Sequence, residues 1–127
     1  MEAIASYDAI LSPSFCRSFC RIRLGLKGDE PIPLTMARDP HLSPTHGDLR
    51  VLVSANTKVV LITGTWDCLH PDIEVFLKKA EEADVDLHYI EGKEMIHDWP
   101  IVLPSLVPEA EEGRGKIVAA VLKNSTF

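Results

Sequence analysis

Val59 to Thr63 form an unbroken run of β-forming side chains, Val-Val-Leu-Ile-Thr, with no polar residue at alternate positions. Alternation would leave one sheet face in water. An unbroken run suits a strand buried on both faces, as in a parallel sheet covered by helices. Such a strand requires neighbouring strands and covering helices, which sets the expected class as α/β. Gly64 closes the run. Asp67 follows in the loop at the strand's carboxyl end, where open α/β sheets place their reactive groups.

The residues that follow have the pattern of the expected unit. Pro71 suits the first turn of a helix, with Asp72 and Glu74 near the positive end of its dipole, and the helical pattern continues to about Ala83. Asp86 to Ile90 reads as a second strand. Strand, helix and strand in this order predict a right-handed crossover and a parallel pair. His97 then lies beyond the carboxyl end of the second strand, on the same sheet edge as Asp67. Pro108 to Leu122 reads as a closing helix, acidic at its start and apolar at Ile117, Val118, Val121 and Leu122. Gly113 and Gly115 weaken that reading, each by about 1 kcal/mol against alanine.

Ahead of the strand, Tyr7 to Leu24 reads as an amphipathic helix capped by Ser12, opened by Pro13 and stopped by Gly25. Its stripe of Phe15, Phe19 and Ile22, widened by Cys16, is expected to pack on something. From Leu26 to Thr57, prolines at 31, 33, 40 and 44 and glycines at 28 and 47 break the chain too often for a long helix or a central strand. Arg50 to Val53 fits either a short strand or a helical turn. The chain thus divides into a helix with a Pro-rich connecting segment, residues 1–56, and a βαβα part, residues 57–127.

Composition excludes several functions. A net charge of −6 over 127 residues, with Arg17, Arg21 and Arg23 as the one basic group, argues against nucleic-acid binding. No apolar segment reaches the roughly 20 residues of a membrane-spanning helix, and no signal peptide is evident, so a soluble, cytoplasmic protein is expected. The three cysteines, Cys16, Cys20 and Cys68, read as free thiols. Cys16 and Cys20 share a helix face, but a metal there needs two more ligands, and two small core-facing residues are the simpler reading. His41, His46 and Asp48 likewise read as solvated loop residues rather than ligands. Leu61-Ile-Thr-Gly64 lacks the further glycines of a dinucleotide site, and Asp67 would repel phosphate. No cofactor and no metal are expected.

An acid after one parallel strand and a histidine after the next are the second and third members of a nucleophile–acid–histidine relay. The surrounding residues resemble the C-terminal third of α/β-hydrolases of the hormone-sensitive-lipase-like esterase family. Ser43-Pro44 and Asp48-Leu49 match the segment ahead of that family's strand. Gly64, Asp67, Leu69 and Asp72 match its Gly-x-x-Asp-x-Leu-x-x-Asp pattern, and Met95-Ile-His97 matches its Met-x-His. The resemblance implies a partial α/β-hydrolase fold with Asp67 as catalytic acid and His97 as catalytic histidine. It implies a small-molecule ester as substrate of the complete enzyme.

Two departures stand out. Asp98 replaces the glycine that follows the family's histidine. No serine ahead of Asp67 lies in Gly-x-Ser-x-Gly, and the His-Gly-Gly oxyanion segment is absent. The expectation is therefore the C-terminal piece of a longer hydrolase, with little or no activity alone. Its exposed sheet edge would allow self-association or pairing with an N-terminal fragment. The alternative is a non-catalytic remnant acting as a binding or regulatory partner.

Overall fold

A computed structural model describes residues 8–102 and 106–124. Tyr7, placed at the start of the leading helix by its pattern, lies outside the described residues, as do the rest of 1–7, 103–105 and 125–127. Helix α1 spans Pro13–Arg23. The Ser12 side chain accepts the Phe15 N–H at 3.1 Å, Pro13 opens the first turn, and Arg21 and Arg23 sit at the negative end. Gly25, at φ +70°, provides the left-handed stop.

The apolar stripe of α1 does not pack as expected. Phe15 and Phe19 stack on each other with ring centroids 6.2 Å apart, yet both remain 54% exposed, and Ile22 is 74% exposed. Cys20 is also exposed, so the expected pair of core-facing cysteines reduces to a half-buried Cys16. The described residues leave most of this face in solvent.

The connecting segment holds single turns: α2 at Leu34–Ala37, a 3-10 turn at Pro44–His46 and α3 at Arg50–Ser54. The ambiguous stretch at Arg50 is helical. Asp48 accepts the Arg50 backbone N–H at 3.1 Å, satisfying a donor that a helix start leaves orphaned. The same carboxylate grips the Arg50 guanidinium through two 2.8 Å bonds, and that hydrogen bonding draws the Asp48 carboxyl down to about 2. From the far side, Lys79 Nζ donates to the carbonyls of Thr45 at 2.6 Å and Gly47 at 3.0 Å, tying the segment to the core.

Strands β1 (Val59–Gly64) and β2 (Leu87–Gly92) form a two-stranded parallel sheet, in register from Val59 against Leu87 to Gly64 against Gly92. They are joined by α4, His70–Glu82, with Pro71 in its first turn. A single turn, α5 (Trp99–Val102), and a long helix, α6 (Pro108–Asn124), follow. Helices α4 and α6 pack on the sheet. The run expected to be buried on both faces is only half-buried from Val59 to Ile62, and burial is complete only at Thr63 and Gly64. The described helices and two strands do not enclose the strand fully.

Trp99 anchors the C-terminal half and is 4% exposed. Its indole fills space that two glycines leave open. A Cβ at Gly113 would lie 2.2 Å from its ring, and one at Gly92 would lie 2.6 Å away. Gly113, which by propensity weakens α6, therefore admits the indole against that helix. Gly115 has no such neighbour within 4 Å.

Candidate active site

The site is built where the two strands end. Gly64 is buried, and a Cβ there would fall 1.9 Å from the Met95 carbonyl oxygen. Only glycine lets the chain beyond β2 cross the end of β1 so closely. Backbone bonds then join the two loops. The Thr65 N–H donates to the Gly92 carbonyl at 3.0 Å and the Trp66 N–H to the Met95 carbonyl at 3.0 Å. The Glu94 N–H reaches Thr65 Oγ1 at 2.7 Å. A rigid parallel pair with stitched loops fixes what those loops carry.

They carry Asp67 and His97. Asp67 is 3% exposed, its Oδ1 accepts the Leu69 N–H at 2.8 Å, and its Oδ2 lies 2.9 Å from His97 Nδ1. A carboxylate oxygen only accepts, so Nδ1 carries the hydrogen and the carboxylate holds the ring orientation. The two residues singled out from sequence thus meet in one hydrogen bond across 30 positions. His97 keeps about a quarter of its side chain in solvent.

Asp98 lies on the other side of the ring. Its Oδ2 is 3.3 Å from His97 Nε2, and its backbone φ is +50°, the left-handed region that favours glycine. The conformation at this position is thus one that a glycine would adopt without strain. The aspartate adopts it and sets a carboxylate against the second ring nitrogen. Each ring nitrogen thus has a carboxylate oxygen within 3.3 Å.

Sequence reasoning passed over Asp8. Buried beside the acid loop, it accepts the N–H groups of Ile10 at 2.9 Å and Leu11 at 3.0 Å through Oδ1, and that of Cys68 at 3.1 Å through Oδ2. Its role is visible only in three dimensions, because its distant partner is a backbone amide 60 positions away. Asp8, Asp67 and Cys68 bring ligand-type atoms within 4.8 Å of one another. Each carboxylate oxygen there already accepts a hydrogen bond. Burial, then contact with Cys16 and the charges of Asp8 and Asp67, push the Cys68 thiol up to about 12.

His41 and His46 are exposed, and Asp48 is committed to Arg50. These three form no ligand set with one another. An open apolar groove of about 430 Å³ lies between α1, α2 and residues 41–43, and neither Asp67 nor His97 lines it.

A parallel strand pair, a crossover helix and loops meeting at the strands' carboxyl ends make a βαβ unit, and likeness to solved structures gives it as a partial α/β-hydrolase fold. Two solved structures share it. One is a Staphylococcus aureus protein assigned as an esterase, with a TM-score of 0.75 at 21% identity over 95% of this chain and 36% of that one. The other is EstE5, from a crystal soaked in ethyl alcohol, with a TM-score of 0.66 at 20% identity over 92% of this chain and 38% of that one. The chain therefore spans little more than a third of the length of the structures it matches. No protein-family profile and no curated protein sequence matches it. Among the described residues no helix is long and apolar enough to cross a membrane.

Proposed function

We propose that this chain supplies the acid and histidine of a serine carboxylester hydrolase of the hormone-sensitive-lipase-like group, and that the nucleophile comes from a segment outside this sequence. The observation that carries the reading is the 2.9 Å contact between Asp67 Oδ2 and His97 Nδ1, at the carboxyl ends of adjacent parallel strands. In this role Asp67 holds the imidazole with its hydrogen on Nδ1. Nε2 takes the serine proton as Oγ attacks the ester carbonyl, and then returns it to the departing alcohol. A water would repeat the cycle to release the acid. Asp98 must swing away from Nε2 before that nitrogen can accept a proton. Among the described residues the outer edge of β1 has no partner strand, and a further parallel strand carrying the nucleophile would add there.

A second reading, a non-catalytic partner of an intact hydrolase, is favoured by that same contact of Asp98 with Nε2. One experiment separates the two. The chain is assayed on a short-chain p-nitrophenyl ester, alone and after refolding with an N-terminal fragment carrying Gly-x-Ser-x-Gly. Turnover only in the mixture, lost on His97→Ala, is the expected result. A stable complex without turnover favours the partner reading. Turnover that survives His97→Ala contradicts the catalytic one.

A further inference from the structure

We propose that Cys16 and Cys68 are a peroxide-oxidisable dithiol whose disulfide joins helix α1 to the loop that carries Asp67. The two sulfurs, from residues 52 positions apart, lie 3.8 Å from each other. That is van der Waals contact, about 1.8 Å longer than a disulfide bond. The fold already brings the two sulfurs into contact. Cys16 is the half-buried member of an otherwise exposed helix face, and Cys68 is 3% exposed. One thiol is therefore within reach of an oxidant and the other is sheltered beneath it.

The chemistry balances with one peroxide. The Cys16 thiolate attacks a peroxide oxygen, the O–O bond breaks, and the product is a sulfenic acid and water. Cys68 then loses its proton and attacks the Cys16 sulfur, hydroxide leaves as water, and the S–S bond forms. Two thiols lose two electrons and two protons, and the peroxide becomes two waters. Burial raises the pKa of the Cys68 thiol, which slows its attack on the Cys16 sulfur. For the same reason Cys68 is a poor leaving group when a reducing thiol attacks the Cys16 sulfur, so the bond, once made, is reduced slowly.

The disulfide would fasten the leading segment to residues that flank the acid. Cys68 follows Asp67 directly, and its N–H is already held by Asp8. The inference needs neither a nucleophile nor an ester, so it stands or falls apart from the esterase reading.

The test uses the reduced 127-residue chain, treated with one equivalent of hydrogen peroxide, alkylated and analysed by peptide mass spectrometry. The expected product has lost two hydrogens, keeps one alkylatable thiol at Cys20, and yields a peptide pair linked through Cys16 and Cys68. Closing so long a loop should raise the melting temperature by on the order of 10 °C, reversed by excess dithiothreitol. Cys20→Ser should leave the link and the shift intact. Cys16→Ser, at a half-buried helix position that tolerates serine, should abolish both. A Cys16–Cys20 link, oxidation of the three thiols independently, disulfides only between chains, or no reaction would each overturn the proposal.

Discussion

The segment from Ile10 to Val53 and the unit from Val59 to Val102 differ in how their apolar residues are covered. In the second, Ile90, Cys68, Ala80, Trp99 and Pro100 are buried, and backbone hydrogen bonds lock the two loops together. In the first, Leu49 is buried, but Phe15, Phe19, Ile22, Leu34, Val51 and Val53 are exposed. The cause is partly local. A strand, a helix and a strand close on one another over a short length of chain, so little loop entropy opposes them. The leading segment is broken by prolines and contributes no strand among the described residues. It is fastened to the unit by side chains: Asp8 on the Cys68 amide, Cys16 against Cys68, and Lys79 on two loop carbonyls. Asp67 and His97 are thus positioned by the compact unit, while the leading segment presents an apolar surface that the described residues leave largely exposed.

Perturbations should separate the two regions, and the largest effect is expected at Gly64. Gly64→Ala forces a Cβ into the Met95 carbonyl, so a loss of about 3 kcal/mol or more by urea denaturation is expected. A loss under about 1 kcal/mol would show that the loops are not locked. Alkaline pH should also act on the compact unit. Burial raises Cys68 from 9.0 to about 12, and burial with Glu91 nearby raises Tyr89 from 10.0 to about 12. Both groups stay protonated longer in the folded state. Their contribution is complete below about pH 9 and is lost as pH rises toward 12, so melting temperature should fall across that window. A flat profile contradicts this.

Lys79→Met tests the tether between the regions. It leaves the Thr45 and Gly47 carbonyls without their donor and should cost about 1 to 2 kcal/mol, with faster amide exchange confined to residues 43–50. Exchange spread evenly over the chain would argue against a distinct tether. Ile22→Lys should move stability by no more than about 0.5 kcal/mol, because the residue is already in solvent. A large loss there would mean that α1 is covered, for instance by a second copy of the chain.

The sequence made some of this legible and not the rest. β1, the Pro71 helix and the loop positions of Asp67 and His97 follow from apolar runs, a proline and chain order, all of them local signals. The unbroken run Val59 to Thr63 suggested burial on both faces, and the half-exposed strand shows that such a run does not reveal how many strands are present to cover it. Arg50 to Val53 is ambiguous in sequence because its helical start depends on the preceding Asp48 side chain. Gly113 read as a weakness because its worth lies in a tryptophan beyond another turn of chain. Asp98 was noticed as a misplaced glycine, and its left-handed backbone gives that substitution a physical meaning. Asp8 and the Cys16–Cys68 contact had no sequence signal at all, since each pairs with a site more than 50 positions away.

Asp67 and His97 are paired by this chain's own fold, with no further segment needed to bring them together. A ¹H–¹⁵N spectrum of the ring nitrogens of its five histidines tests it directly. The account predicts a slowly exchanging, strongly downfield Nδ1 proton on His97, lost on Asp67→Ala while the exposed His41 and His46 are unchanged. A His97 ring proton exchanging as fast as those of His41 and His46, and indifferent to Asp67→Ala, would contradict it.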